Sequence, residues 1–164
     1  MTKEILKLEK MSIRIEQITD KNEKQLNARK ILEDLTEWFE VEESREQYIA
    51  DCTDWIYLAA KQEDETVGFL CLKETGKDTV ELAVMGVLKK CHRTGAGRAL
   101  VDEARLVARQ KGYSFFQVKT VKMGMYEDYD RTNRFYLACG FKEFEVINQI
   151  WDEANPCQIY VMSL

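Results

Sequence analysis

A mixed α/β domain on a single central sheet is what this sequence predicts, and three observations predict it. Three strand-like runs, DWIYLAAK, TVGFLCLK and TVELAVMGVL, follow one another with only the polar, turn-forming segments QEDE and ETGKD between them, the pattern of successive antiparallel hairpins. After a short glycine-containing loop, Ala96, Ala99, Leu100, Ala104, Val107 and Ala108 recur at helical spacing, so the pattern switches from strand to helix across that loop. No repeat, low-complexity tract or Pro/Gly/Ser-rich linker divides the chain, in which Pro156 is the only proline. Summed along the chain, this gives a mostly antiparallel sheet of about seven strands flanked by about four helices.

The elements follow in order. Residues 1–11 are polar and weakly patterned and read as an appendage, with Met11 an alternative start; residues 12–164 form the single domain. SIRIEQIT begins with the alternation of a strand through Ile13 and Ile15. Glu23 to about Asp51, rich in Glu, Lys, Gln, Leu and Ala and free of proline and glycine, suits two helices joined near Phe39 to Glu43, the second capped by Ser44 with Gln47 three residues on. In the third strand of the hairpins Val80, Leu82 and Val84 share one face, and Glu81, Ala83, Met85 and Val87 the other. Gly112 stops the next helix at its C′ position; SFFQVKTV is a strand, DYDRTNRFYLAC a helix closed by Gly140, and the tail supplies two more strands. In that last helix, spacing groups Phe135, Ala138 and Cys139 on one apolar face and turns Tyr136 about 100° away.

Composition narrows the function. With 24 basic and 29 acidic residues the net charge is −5, which argues against binding nucleic acid through a basic surface. No apolar run reaches the ~20 residues of a membrane span, and the lysine- and glutamate-rich start is not a signal peptide, so a cytoplasmic protein with no membrane partner is expected. Five scattered cysteines in apolar surroundings read as buried reduced thiols, and a single histidine without a cysteine array gives no metal site.

The loop that matters is in LKKCHRTGAGRALV, Leu88 to Val101. A helix start presents N–H groups with partial positive charge, glycines let that backbone approach an anion closely, and Lys89, Lys90, Arg93 and Arg98 add side-chain charge. A pyrophosphate suits it. A P-loop would need Gly-Lys-Ser/Thr where Gly97, Arg98 and Ala99 stand, and a dinucleotide fingerprint would need a third glycine where Leu100 stands. Taken alone, TGAG is equally well a tight strand-to-helix connection.

Context decides between these. VLKKCHRTGAGRALV, with Val87 eight residues before Gly95, resembles the signature of the GNAT N-acetyltransferase superfamily, and TNRFYLACGF resembles the aromatic-Tyr…Gly-Phe segment of that family's last helix. Order and spacing match from about Ser12 to Leu164. The resemblance implies a GNAT-like fold and acetyl-CoA as co-substrate, bound where the fourth strand splays from the fifth. It places the pyrophosphate on the backbone of Arg93, Thr94, Gly95, Ala96, Gly97 and Arg98, and the acetyl carbonyl and pantetheine arm on main-chain groups of Met85 and Val87, with a bulge near Gly86. His92 departs from the commoner Arg or Gln, and Tyr129 stands where many members have a cofactor-contacting Asn.

The chemistry implied is direct attack of an amine on the thioester in a ternary complex. A primary amine with pKa near ~10 must lose a proton first, the thioester oxygen needs donors, and the departing thiolate is best protonated. Tyr136 matches the family's general acid; its alternative is packing beside Phe135. Glu81 aligns with a base of the histone-acetylating branch; its alternative is a solvent-facing strand carboxylate, and lying roughly 13 Å along the strand from Met85 it would work through a water. The acceptor is an amine-bearing small molecule, peptide or protein, met by the first two helices, the loops near Trp38 and Phe39, and the tail IWDEANPC. A homodimer is left open. The rival is a non-catalytic acyl-CoA-binding domain of the same fold; an ATP-binding reading of TGAG would require magnesium-dependent ATP binding.

Overall fold

Asp20 ends the first strand and begins the first helix in one step: its Oδ1 accepts the Glu23 N–H at 2.8 Å, satisfying a donor that the helix itself leaves open. In a computed structural model, which describes residues 2–5 and 12–164, the elements run β1 Arg14–Ile18, α1 Lys21–Asp34, α2 Glu42–Asp51, β2 Ile56–Gln62, β3 Glu65–Gly76, β4 Thr79–Val87, α3 Ala96–Gln110, β5 Phe115–Val121, α4 Glu127–Ala138, β6 Lys142–Ile147 and β7 Cys157–Ser163. Short 3-10 turns sit at Cys52–Asp54 and Lys89–Cys91. The appendage expected at residues 1–11 falls for the most part outside the described residues. The seven strands are ordered β1-β2-β3-β4-β5-β7-β6. β4 and β5 are parallel, while β1–β2, β5–β7 and β6–β7 are antiparallel, so the sheet is mixed and mostly antiparallel, as expected.

The chain divides into two compact units. The first holds Met1–Cys71 and Val84–Ala104. Here β1 pairs with β2 from Arg14↔Lys61 to Ile18↔Tyr57. The β2–β3 hairpin turns on Glu63 (φ 50°) and Asp64 (φ 70°), the double left-handed conformation of a two-residue turn whose twist matches its strands. Ile31 and Leu32 of α1, Ile49 of α2 and the stacked rings of Tyr57 and Phe69, 5.1 Å apart, form its core. Lys24 is buried among them, its ammonium donating to the carbonyls of Thr53 (3.0 Å) and Trp55 (2.7 Å), which replaces the water it gave up. α2 begins at Glu42 with Val41 as its cap residue, so Ser44 lies inside the helix and is not the cap that its S-x-x-Q pattern suggested; Gln47 instead donates along the helix to Asp51. A start at Glu42 places Glu42 and Glu43 in the first turn, where the helix dipole favours them.

The second unit holds Leu72–Ala83 and Arg105–Leu164. β5 lies between β4 and β7, in the registers Glu81↔Gln117↔Val161 and Leu82↔Val118↔Tyr160. α4 covers the face that carries Phe116 and Tyr160, through Tyr136 and Phe141. Both helices that end in this unit stop in the same way. Gly112 (φ 86°) donates to Arg109 O and Tyr113 to Ala108 O; Gly140 (φ 100°) donates to Leu137 O and Phe141 to Tyr136 O. This paired pattern needs a left-handed residue, which glycine adopts without strain.

Candidate functional site

The cradle is built within the first unit, from the end of β4 and the start of α3. Burial alternates without a break along β4, with Val80, Leu82, Val84 and Gly86 inside and Glu81, Met85 and Val87 half-buried on the other face, as the spacing predicts. Gly86 continues that alternation on the buried face, where packing favours a glycine. A Cβ there would lie 2.8 Å from Ile31 Cγ2 and 2.8 Å from Leu35 Cδ1, so a side chain would have to push aside Ile31 of α1 and Leu35 at its end.

Beyond Val87 the backbone is fixed link by link. Leu88 N–H donates to Val67 O (2.8 Å), Lys89 N–H to the Asp34 carboxylate (2.8 Å), Cys91 N–H to Leu88 O (2.8 Å) and His92 N–H to Lys89 O (3.1 Å). The Thr94 hydroxyl donates to Cys91 O at 2.6 Å. Arg93 (φ 60°) and Gly95 (φ 90°) then take left-handed conformations, and α3 begins at Ala96, its Ala99 N–H reaching back to Gly95 O. A left-handed residue just before a helix turns successive N–H groups toward one side, the concave arrangement that holds anions. A Cβ built on Gly95 would meet nothing within 4 Å, so the space beside that residue is open. Residues Arg93 to Arg98 therefore fit a pyrophosphate through main-chain donors.

The cationic side chains around the loop do less than their count suggests. Lys89 Nζ binds Glu37 (2.5 Å), Lys90 Nζ binds Glu65 (3.0 Å) and Arg98 Nε binds Asp102 (3.2 Å). The Lys89 hydrogen bond holds the Glu37 carboxyl below its usual range, and Lys30 with Lys90 does the same to Glu65. Arg93 has no carboxylate partner among the described residues, which leaves it as the guanidinium available to a ligand.

Tyr136 and Glu81 both lie in the second unit, on opposite faces of its sheet. Glu81 shares its face with Gln117 and Val161, whereas the Tyr136 ring packs 6.3 Å from Tyr160 on the other. Helix spacing misjudged α4. Its buried side is Asn133, Tyr136 and Cys139, and Ala138 is exposed, because the sheet below accepts the larger ring and the helix end turns Ala138 outward. Tyr136 is also pinned by its own helix stop: its carbonyl accepts the Phe141 N–H, and the Phe141 ring meets the Tyr136 ring edge to face at 5.8 Å. Glu81 is ion-paired, its Oε1 receiving Lys119 Nζ at 2.9 Å with only 14% of its side chain exposed. Lys119 lies on the neighbouring strand two residues beyond Gln117, the register partner of Glu81, a proximity that spacing along one strand cannot show.

Sequence reasoning passed over Asn133. It is fully buried; its Nδ2 donates to Val121 O (2.9 Å) and Tyr129 O (2.7 Å), and its Oδ1 accepts from the Tyr160 hydroxyl (2.6 Å). An Asn in the middle of a helix, flanked by a sheet-facing Tyr one turn on, was the available signal.

With this geometry in place, the comparisons are consistent. Residues 53–143, more than half of the chain, match the family described as Acetyltransferase (GNAT) domain. A structure assigned to the GNAT family from Desulfovibrio desulfuricans superposes with a TM-score of 0.81 at 19% identity, covering 93% of this chain and 99% of that one. A Bacillus subtilis acetyltransferase in complex with CoA gives 0.69 at 18% identity, with 93% and 99% covered, and a GNAT family acetyltransferase from Elizabethkingia anophelis with acetyl-CoA bound gives 0.67 at 19%, with 93% and 98% covered. Comparison with curated protein sequences gives no match. A segment that spans β2 to α4, includes the whole cradle and folds as these relatives do is sufficient for the assignment: the chain belongs to the GNAT acetyltransferase family.

Proposed function

We propose that this protein is an acetyl-CoA-dependent N-acetyltransferase, acting within one domain of residues 12–164 by direct attack of an amine in a ternary complex. The observation that carries the reading is the left-handed pair Arg93 and Gly95 leading into α3, inside the family-matched segment and beside open space. Relatives of the same fold hold CoA or acetyl-CoA, which supports the same donor here.

The cradle N–H groups from Arg93 to Arg98 receive the pyrophosphate, and the Arg93 guanidinium adds a charge-assisted contact. Main-chain groups at Met85 and Val87 orient the pantetheine arm and the thioester carbonyl; the Val87 carbonyl is already engaged by the imidazole of His92 at 2.7 Å. As the new N–C bond forms, the C–S bond breaks, the amine proton leaves to water, and the Tyr136 phenol protonates the thiolate. Glu81, on the opposite face of the sheet from Tyr136, is the final acceptor of that proton at the far end of the water path, through Oε2, since Lys119 occupies Oε1. The segments assigned to acceptor specificity are those around Trp38 and Phe39 after α1 and the acidic, aromatic stretch 150–157.

Thiol release from acetyl-CoA across a panel of amines tests this, with wild type and Tyr136→Phe side by side. Turnover that needs a particular amine and falls in the variant supports it. Tight acetyl-CoA binding with no turnover on any amine would instead favour a non-catalytic acyl-CoA-binding domain.

A further inference from the structure

His92 is the only histidine in the chain, and its side chain does something its neighbours do not. Nε2 lies 2.7 Å from the carbonyl oxygen of Val87, and a carbonyl can only accept, so Nε2 carries the proton. The ring edge is set by Trp38, whose centroid lies 6.0 Å away at an interplanar angle of 72°. The next group along the chain, Leu88 N–H, donates to Val67 O at 2.8 Å. The Val87–Leu88 peptide is thus held on both sides, the carbonyl by a side chain from the loop and the amide by β3. This peptide is the last of β4, and from it the cradle departs.

We propose that His92 is a positioning residue for the cradle: by donating Nε2–H to Val87 O it fixes the peptide plane from which Lys89 to Gly95 spring, and so sets the aim of the N–H groups toward a coenzyme A pyrophosphate. The inference rests on the proposed use of coenzyme A for its consequence, but not for its geometry. Thr94, which donates to Cys91 O, and Asp34, which accepts from Lys89 N–H, hold the same loop from its other links, so His92 completes a set of three side-chain ties. Because the donor is Nε2–H in the neutral tautomer and in the imidazolium alike, the tie survives protonation of the ring. It therefore acts as a fixed brace and not as a switch.

A glutamine has an amide N–H donor of similar reach, while phenylalanine keeps the ring and loses the donor. Titrating coenzyme A into wild type, His92→Gln and His92→Phe, followed by KM and kcat for acetyl-CoA, should show about a fivefold weaker Kd and higher KM for His92→Phe, the scale of one ordinary hydrogen bond. Its kcat should stay within about twofold, and His92→Gln should recover most of the loss. Equal losses in both variants, or none in either, would overturn the proposal. The second arm needs no ligand: ¹⁵N–¹H correlation of the single imidazole at alkaline pH should show the proton on Nε2, and His92→Phe should speed amide exchange at Leu88 to Gly95. A proton on Nδ1, or unchanged exchange, would also overturn it. Wild type that fails to bind coenzyme A overturns the proposed function instead, and the tautomer and exchange then decide the brace alone.

Discussion

The hydroxyl of Tyr160 on β7 donates to Oδ1 of Asn133 on α4 at 2.6 Å, and the same Asn133 amide donates to the last carbonyl of β5, Val121, and to Tyr129 one turn earlier in its helix. One side chain therefore joins a helix to two strands, with every polar atom used and none exposed. Asn133→Ala strands a hydroxyl and two carbonyls in a dry interior and should cost about 3 kcal/mol in urea unfolding. Tyr160→Phe, which strands only Oδ1, should cost about 1–2 kcal/mol. In the double variant the two costs should fall short of adding, because the second change removes a partner already lost.

Tyr136 packs against Phe141 and Tyr160 whether or not it carries a hydroxyl. Tyr136→Phe keeps those ring contacts and should leave coenzyme A affinity nearly unchanged, while kcat falls at least ~10²-fold, the lower range for general acid–base catalysis. Turnover equal to wild type removes the phenol from the mechanism.

Glu81 and Lys119 can be told apart by paired variants. If Glu81 takes the amine proton, Glu81→Gln should abolish the acidic limb of the kcat/KM profile, and Lys119→Met should retain a limb. Both substitutions break a half-buried ion pair and should each destabilise by about 1–3 kcal/mol. Identical pH profiles for the two variants would reduce Glu81 to its role in the pair.

Two glycines should fail for opposite reasons. At Gly86 a methyl would press on Ile31 and Leu35 at 2.8 Å, so Gly86→Ala should cost about 1–3 kcal/mol by overpacking. At Gly95 there is room but φ is 90°, so Gly95→Ala should cost about 1–2 kcal/mol through the backbone, and should weaken coenzyme A binding by moving the cradle.

Alkaline pH should unfold this protein early. Burial raises the Cys52 thiol from its ordinary 9.0 to about 11, and it raises Cys71, Cys157, Tyr57 and Tyr160 as well. Between the unfolded and folded values, the unfolded chain has released protons that the folded chain still binds, so ionisation favours unfolding and stability falls as pH rises. Urea midpoints under reducing conditions should hold steady to about pH 8.5 and then decline, more steeply above about pH 10 as the tyrosines join. A midpoint that stays level to pH 10.5 would show that these groups titrate alike in both states.

Local pattern carried most of this fold. Strand alternation from Val80 to Val87, the helix from Ala96 and the stops at Gly112 and Gly140 are all set by neighbours within a few residues, and all were legible. The position of β7 between β5 and β6 was not, because periodicity says which face is buried and not which strand lies alongside. The same limit governs the site. Arg98 meets Asp102 one helical turn away, a pair visible in the sequence, but Lys89 and Lys90 are taken by Glu37 and Glu65, which only the fold brings near. Four cations counted along the loop thus become one, Arg93, with no carboxylate partner among the described residues. Asn133 escaped for a related reason: the three groups it satisfies come from three separate elements.

The five cysteines, all buried and none bridged, have a practical consequence for measuring this protein. A thiol-reactive chromophore that follows coenzyme A release would meet a folded enzyme nearly silent to it. Once unfolded, each chain would add five equivalents of signal at once. The same reagent can therefore report turnover while the protein is intact and count denatured molecules when it is not, with the burst at the end of an assay separating slow chemistry from lost enzyme.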